Sequence, residues 1–368
     1  MLYLWVALVF VLGAAAGAFA NFCVWRLPYE RSIFWPGPRC RHCFGPLRLP
    51  DWLPLVGYPA SGGRCRLCGA AFSPRGYAVE LLAGVFFAWL FWFEVVQNGL
   101  GLDFVARAHA QILAGHVPAA AWAVFGTHAL LVFFLLVTSL CDFNDMEIPL
   151  PVTLTGTVVG LICSTLFPWP FPNDATNLPP LPPMQPMFWK DYPPLGLCPW
   201  PLWAPLPEWL TPGSWRLGLA TGLAGALAGM LLLRGVRFIF GVGRGVEGLG
   251  VGDADLMMMA GSFVGWQPVL VGFFVSVGPG LVLGVVQLLR RKGQASPFGP
   301  SLALGVLLTL LLWPRIVGDR ILGSYVRGFF FEPIMAGGVG GAGAILLLAA
   351  AFFLRLVRGG AAEEASPP

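Results

Sequence analysis

The sequence predicts an all-α polytopic integral membrane protein, with about eight to nine transmembrane helices and a cytoplasmic zinc-binding loop. Of its 368 residues, 57% are hydrophobic and only 11% are charged, and the mean hydropathy is +0.75. These values exclude a soluble globular domain. No run of Lys or Arg is interleaved with aromatic residues, so we expect no nucleic-acid partner.

The first apolar run, Met1 to Val24, is predicted to be an uncleaved span. The alternative is a cleaved signal peptide, because Gly13 to Ala20 is rich in small residues. A signal peptide begins with basic residues, and here the first one is Arg26. Positive charge therefore follows the span, which predicts an external N-terminus and a cytoplasmic exit.

A polar segment between the first two spans carries two CxxC pairs, Cys40 with Cys43 and Cys65 with Cys68. Its arginine excess predicts a cytoplasmic location. Two such pairs can close a tetrahedral zinc site with four thiolate ligands. The alternatives are four unliganded thiols or a redox pair, but a redox pair needs no second CxxC. A short polar loop buries little hydrophobic core, so a structural zinc ion is a physically reasonable way to stabilise its fold.

The remaining apolar runs predict further spans. These are Val79–Val96, Ala119–Cys141, Val152–Phe167, Trp215–Phe240, Leu256–Trp266, Val269–Leu289, Leu302–Trp313 and Gly337–Leu356. The Pro- and Trp-rich segment Pro168–Pro212 is interpreted either as an external loop lying partly on the bilayer or as a flexible linker. In the fifth span, two small-xxx-small repeats predict close packing against a neighbouring helix.

The chain accordingly divides into six segments. They are residues 1–26 (first helix), 27–78 (four-cysteine loop), 79–167 (helices two to four), 168–212 (Pro/Trp-rich loop), 213–314 (helices five to eight) and 315–368 (C-terminal extension with a ninth helix).

Two acids stand where cytoplasmic loops meet helices: Asp142 at the end of the third span, and Asp253 after the glycine-rich stretch Gly248–Gly252. An ionisable residue at a membrane boundary is costly and is by default a functional-site hypothesis. Two carboxyls on one side of the membrane are what an aspartyl protease needs, one acting as base toward water and the other as acid toward the scissile carbonyl. The alternative is two independent loop acids.

Several motifs, in order, make the sequence resemble the type IV prepilin leader peptidases, which are GxGD-class membrane aspartyl proteases. The matching stretches are Gly17–Asn21 with Arg26-Leu27-Pro28, the two CxxC pairs, Tyr77–Gly84, Asp142 followed by Ile148-Pro149, Gly250–Asp253, and Pro297–Pro300 followed by Leu302–Gly305. A single GxGD tetrapeptide is common, whereas this ordered series is specific.

The resemblance implies that Asp142 and Asp253 are catalytic and that Cys40, Cys43, Cys65 and Cys68 hold zinc. It implies cleavage of the short basic leader from type IV prepilins and type II secretion pseudopilins after a Gly, in the bacterial inner membrane. Many members then methylate the new N-terminus with S-adenosylmethionine. Glu80 and Asn21 are candidates for binding that cofactor by position only, and each is equally interpretable as a helix-end polar contact. Prepilins, pseudopilins and membrane lipids are the partners expected.

The chain departs from the family pattern at two positions. Leu150 stands where an Asp usually follows Leu-Pro, and Asp255 stands where a Lys usually follows GxGD. Three alternatives stay open: a peptidase without methyltransferase activity, a proton-coupled transporter, and a membrane scaffold whose zinc loop binds proteins. A transporter predicts mid-span acids and an internal repeat, and a scaffold leaves both aspartates without a role.

Overall fold

The computed structural model is all-α, which confirms the predicted fold class. It describes residues 1–33, 35, 37–167, 209–211, 214–244, 250–289, 297–318, 322–331 and 333–363. Within these ranges, β-structure is confined to two isolated bridges, Arg39 with Pro46 and Arg64 with Ala71. The predicted Pro168–Pro212 loop lies almost wholly outside the described residues.

The chain forms two compact units, Met1–Val152 and Thr153–Pro368. The first contains α1 (Leu2–Val24), α2 (Leu49–Trp52), α3 (Gly57–Ala60), α4 (Pro74–Phe91), a π-helical turn (Trp92–Val96), α5 (Asp103–Arg107), α6 (His109–Leu113) and α7 (Ala119–Asp145). The boundary falls near the start of α8 (Leu150–Leu166). The second unit continues with α9 (Trp215–Arg244), α10 (Val251–Val264), α11 (Trp266–Leu289), α12 (Gly299–Gly318), α13 (Leu322–Phe331) and α14 (Pro333–Glu363).

Six of the described helices are long and apolar enough to cross a membrane, which agrees with a polytopic protein. They are Leu2–Val24, Pro74–Val96, Ala119–Asp145, Trp215–Gly243, Trp266–Val286 and Gly299–Ile316. Two shorter apolar helices, Leu150–Leu166 and Ile334–Ala350, match further predicted spans. The span predicted at Leu256–Trp266 corresponds to α10, which is not among these apolar helices and whose 14 residues reach only about 21 Å at 1.5 Å per residue.

In the first unit, α1 and α4 pack closely and run antiparallel. A Cβ on Gly13 would meet Phe87, one on Gly17 would meet Ala83, and one on Gly84 would meet the backbone of Phe10. These small residues let the two backbones approach within a distance that a larger side chain would prevent. Helix α7 joins this pair through aromatic contacts. Phe19 stacks on Phe133 at 5.9 Å between ring centroids, and Phe91 stacks on Trp122 at 5.0 Å.

A buried ionisable pair links the end of α4 to α7. The chain passes from α4 into a π-helical turn, in which the Gln97 N–H donates to the Trp92 carbonyl oxygen at 2.9 Å. This turn carries Glu94, whose Oε1 lies 2.7 Å from His128 Nδ1 on α7. Both side chains are almost fully buried, and Glu94 Oε2 has no hydrogen-bond partner among the described residues. Neither residue of this pair was predicted from the sequence to be functional.

In the second unit, glycines bring α9 and α10 into backbone contact. A Cβ on Gly225 would strike the Gly261 carbonyl oxygen, and a Cβ on Gly261 would strike that of Gly225. A Cβ on Gly229 would likewise collide with the Met257 carbonyl. The close packing predicted from the small-xxx-small pattern of the fifth span is therefore confirmed at Gly225 and Gly229, and the partner helix is the one that carries Asp253.

We expect Gly225→Ala to force α9 and α10 apart and to destabilise the protein by about 1–3 kcal/mol, the usual cost of overpacking. Gly235→Ala is the matched control, since a Cβ at Gly235 on the same helix meets nothing within 4 Å. This control should be neutral or slightly stabilising because Ala favours helix over Gly. Unfolding of the purified proteins in mixed micelles measures both. Equal stability of the two variants would contradict the contact.

Candidate active site and metal centre

Asp253 lies in the first turn of α10 and is 7% exposed. Gly250 is the N-cap residue and has extended backbone angles, so the helix begins at Val251, inside the GxGD motif. A Cβ on Gly250 would lie 3.6 Å from Asp253 Oδ2, so the carboxyl folds back over the start of its own helix. The free N–H groups and dipole at a helix N-terminus stabilise negative charge there by about 0.3–1 kcal/mol.

A groove of about 540 Å³ runs between α9 and α10 beside this turn. Its walls combine apolar side chains with two guanidinium groups. The lining residues are Leu233, Arg234, Arg237, Phe238, Gly241, Val242, Gly250, Val251 and Ala254. The volume is within the range typical of ligand sites. Two of the lining residues, Gly250 and Val251, belong to the GxGD motif itself, so the groove lies beside the helical turn that carries Asp253, although the Asp253 side chain is not among its lining residues.

Asp255, the acid that departs from the family pattern, has an ion-pair partner on the neighbouring helix. Arg234 Nη2 lies 3.8 Å from Asp255 Oδ1, and the Asp255 side chain is 13% exposed. In the family a Lys usually follows the GxGD motif. In this chain Arg234 on α9 provides a positive charge close to the same turn. The pair also ties α10 to α9.

Asp142 lies in the last full turn of α7 and is 6% exposed. The helix ends at Asp145, and its C-cap residue Met146 adopts the left-handed conformation with φ 55° and donates its N–H to the Asp142 carbonyl oxygen at 2.9 Å. Tyr29 Oη donates to Asp145 Oδ1 at 3.2 Å, which ties this helix end to the turn after α1. Asp142 belongs to the first compact unit and Asp253 to the second. Each is a buried acid at a helix end.

The four predicted cysteine ligands converge in the first unit. Their Sγ atoms all lie within 4.8 Å of one another, and two of the separations are 3.8 Å (Cys40 to Cys68) and 3.9 Å (Cys43 to Cys65). Four thiolates at about 2.3 Å from a tetrahedral zinc ion lie about 3.8 Å apart. The donor set and its spacing therefore fit a structural zinc ion.

Each CxxC pair occupies the same type of tight loop. The Cys40 N–H donates to the Gly45 carbonyl and the Cys65 N–H to the Ala70 carbonyl, at 2.9 and 2.8 Å. The fifth residue of each loop, Phe44 or Gly69, has a positive φ near 55° or 71°. We call these two loops, Cys40–Gly45 and Cys65–Ala70, the knuckles. Because the two knuckles share this geometry, each contributes two thiols to the same cluster.

The thiols of the cluster differ in acidity. Hydrogen bonds from the backbone N–H of Cys43 and then of His42 lower the pKa of Cys40 to about 6, although burial opposes this. At Cys68 the backbone N–H of Ala70 lowers the pKa, but burial and the other three thiols outweigh it and raise the pKa to about 11. The Cys40 thiolate therefore forms easily. The Cys68 thiolate is disfavoured by burial and by the other three thiols, and a bound divalent cation would offset this effect by its positive charge.

Asn21 and Glu80, the residues predicted by position for cofactor binding, both make structural contacts in the first unit. Asn21 Nδ2 donates to the Gly76 carbonyl at 2.9 Å and so joins α1 to α4. Glu80 Oε2 accepts from the Leu55 N–H at 2.8 Å and anchors the segment between α2 and α3 to α4. Both are partly buried. These are the helix-end polar contacts of the alternative interpretation, and a role toward a cofactor stays a prediction.

Comparison with known proteins places these features in a family context. Residues 11–93 match the model of the bacterial peptidase A24 N-terminal domain, a stretch that includes Asn21, Glu80 and all four clustered cysteines. The prepilin leader peptidase/N-methyltransferase of Stutzerimonas stutzeri is 26% identical over 343 residues, covering 86% of this chain and 92% of its own length. The chain resembles the prepilin leader peptidases over most of its length. The resemblance predicted from the motifs is confirmed.

Other prepilin peptidases show the same degree of similarity. The prepilin leader peptidase/N-methyltransferase of Pseudomonas aeruginosa is also 26% identical over 343 residues, with the same coverage. That of Klebsiella pneumoniae is 26% identical over 271 residues, which cover 72% of this chain and 87% of the relative. No solved structure matches significantly. The prepilin peptidase resemblance thus extends well beyond the cysteine segment into the region of Asp253.

Proposed function

We propose that this protein is a membrane aspartic endopeptidase that removes the leader peptide from type IV prepilins and type II secretion pseudopilins. The observation that carries the proposal is Asp253, a buried carboxyl in the first turn of α10 beside a groove of about 540 Å³. The prepilin peptidase names of relatives that align with most of the chain supply the substrate class. We assign the groove to the substrate segment next to the scissile bond.

Asp142 and Asp253 are the catalytic acids in this proposal. Asp253 acts as the base, because a helix N-terminus favours its ionised form. It takes a proton from water, whose oxygen attacks the scissile carbonyl carbon. Asp142, near a helix C-terminus where negative charge is disfavoured, gives a proton to the carbonyl oxygen. Collapse of the tetrahedral intermediate breaks the C–N bond, and the new amine leaves with a proton from the acid pair.

We propose that the protein lies in the bacterial inner membrane, with the four-cysteine segment and the catalytic acids facing the cytoplasm. The support is the distribution of arginine. Seven arginines and only two acids occupy residues 27–77, immediately after a span that contains no charged residue. Short loops rich in Lys and Arg remain on the cytoplasmic side.

We further propose that Cys40, Cys43, Cys65 and Cys68 bind one zinc ion that stabilises the fold of their segment. Metal analysis of the purified protein should find one zinc per chain, and Cys40→Ser should reduce it well below one. Cys163→Ser is the control and should retain zinc, because Cys163 lies in α8 and outside the cluster. Absence of zinc in the wild type would reject the assignment.

Zinc retention should also depend on pH. The pKa of Cys40 is lowered to about 6, so this thiol is ionised above that pH and protonated below it. Protons compete with the metal for the same sulfur. Because bound zinc stabilises the thiolates further, we expect zinc to be held at neutral pH and released only at a pH well below 6, as measured by metal content after dialysis at stepped pH.

A second activity, methylation of the new N-terminus by S-adenosylmethionine, is proposed from the N-methyltransferase part of the relatives' names. Asn21 and Glu80 are our candidates for contacting this cofactor. Both lie along the α1–α4 contact, and each already makes a backbone hydrogen bond, Asn21 to Gly76 on α4 and Glu80 to Leu55 between α2 and α3. A cofactor would therefore have to use the second oxygen of Glu80 or the amide oxygen of Asn21.

The test uses purified protein in detergent and a prepilin whose basic leader ends in Gly before an apolar helix. Mass spectrometry should show cleavage after that Gly, and a methyl group on the new N-terminus only when S-adenosylmethionine is added. A matched substrate with the Gly replaced should stay intact. Cleavage without methylation would select the peptidase-only alternative, and no cleavage by the wild type would reject the proposal.

A further inference from the structure

An apolar patch lies on the surface of the knuckles, in a segment that is otherwise polar. Phe44 is 64% exposed and Leu67 is 63% exposed. A Cβ on Gly45 would touch Leu67 Cδ1, so Leu67 of the second knuckle lies against the first knuckle at the residue that follows Phe44. Two large apolar side chains exposed side by side lose the free energy that burial would provide, about 1.5–3 kcal/mol each. Such a patch marks an interaction surface.

This patch is held close to the membrane boundary by a contact to the end of α1. Trp25 is the residue that ends α1, an apolar helix long enough to cross a membrane, and it is 43% exposed. The Arg41 guanidinium carbon lies 3.1 Å from the centroid of the Trp25 ring. Arg41 belongs to the first knuckle, between Cys40 and Cys43. The first knuckle is therefore stacked on the residue at which the chain leaves the bilayer, where tryptophan is typical.

The charge around the patch has one sign. Arg39 and Arg64 stand directly before Cys40 and Cys65, where each is paired in a β-bridge with the far side of its knuckle. Both are exposed. The segment contains only two acids, and one of them, Asp51, is already paired with Arg66 at 2.8 Å. A basic surface beside a membrane gains about 1 kcal/mol per Lys or Arg from an anionic leaflet.

We propose that the two knuckles dock on the anionic lipid surface next to α1, with Phe44 and Leu67 inserted among the headgroups. Arg39 and Arg64 contact the lipid phosphates. Apolar side chains flanked by basic ones are the pattern of surfaces that lie in the membrane interface. A protein partner is the rival occupant, but the contact of Arg41 with Trp25 holds the first knuckle beside the end of a membrane-spanning helix, which favours lipid.

The test is photo-crosslinking of the full-length, zinc-loaded protein in nanodiscs. A benzophenone amino acid replaces Phe44, Leu67, Leu12 or Val56 in separate preparations. Leu12 on α1 is 56% exposed and should label lipid in every case, while Val56 is 52% exposed but lies outside both knuckles, between α2 and α3 in the segment that joins them. The nanodiscs contain phosphatidylcholine alone or mixed with phosphatidylglycerol, and mass spectrometry identifies the adducts.

We expect lipid adducts at positions 44 and 67, several-fold more with phosphatidylglycerol present, and fewer at 56. The double change Arg39→Glu with Arg64→Glu should lower the yield at 44 and 67 to the level seen with phosphatidylcholine alone. Zinc content of each variant shows that the knuckles are still folded. Adducts to protein at 44 and 67, labelling at 56 equal to that at 44, or labelling only at Leu12 would each overturn the proposal.

Discussion

Protein carrying Asp253→Asn is expected to cleave a prepilin about 10²–10⁴-fold more slowly than the wild type, the range typical for loss of a positioned acid or base. Asparagine keeps the size of the side chain and its place in the first turn of α10 but cannot take a proton from water. Asp142→Asn should cause a similar loss, because one remaining carboxyl cannot serve as both acid and base. The double variant should be no slower than either single one, as expected for residues that act as a unit.

Each proposed catalytic acid has a matched control on its own helix. Asp255→Asn changes an acid two residues after Asp253 that is paired with Arg234, and Asp145→Asn changes an acid three residues after Asp142 that accepts a hydrogen bond from Tyr29. Both controls should retain most of the cleavage rate. The measurement is the single-turnover rate on a detergent-solubilised prepilin. An Asp253→Asn enzyme as active as Asp255→Asn would remove Asp253 from the mechanism.

The second large effect is expected at the buried Glu94–His128 pair. Removing one partner by Glu94→Ala or His128→Ala should destabilise the first unit by about 3–5 kcal/mol, the usual cost of leaving one buried ionisable group without the other. The loss is large because both side chains are almost fully buried, and the 2.7 Å contact is the hydrogen bond that Glu94 Oε1 makes in the structure. Unfolding of the detergent-solubilised protein measures the change.

The control for that experiment removes both partners together. Replacing Glu94 and His128 with Leu leaves no unpaired polar group in an apolar setting, and such replacements are often neutral or stabilising. The double variant should therefore be more stable than either alanine variant. If the double leucine variant is no more stable than the alanine variants, the cost of the single changes does not come from leaving one buried partner unpaired.

The sequence predicted those parts of the molecule whose chemistry is local. Apolar runs located the helices, the two CxxC pairs located the thiol cluster, and the glycine pattern of the fifth span anticipated its contact with another helix. Asp253 was placed correctly in a first helical turn, because the glycines before it and the apolar run after it are adjacent in the chain. These features depend on neighbouring residues, so their outcome is visible in the sequence.

Contacts between distant residues were not predictable in the same way. Glu94 and His128 are 34 positions apart. The hydrophobic pattern of the sequence does not indicate that a π-helical turn will bring their side chains together. A signal was present nonetheless, since each is an isolated ionisable residue within an apolar run. Arg234 as the partner of Asp255 and Leu55 as the partner of Glu80 were missed for the same reason: a helix-end acid does not reveal which backbone or guanidinium it will meet.

The brevity of α10 has a consequence for the lipid around it. A helix of about 21 Å is shorter than the hydrocarbon core of about 30 Å, and only Gly265 separates it from α11. The backbone of that corner is satisfied within the chain, since the Gly265 N–H donates to the Gly261 carbonyl at 2.8 Å. A hydrophobic mismatch of this kind thins the bilayer locally or tilts the segment. In the proposed peptidase, water would then reach the GxGD end of the helix through the thinned bilayer without having to enter hydrocarbon.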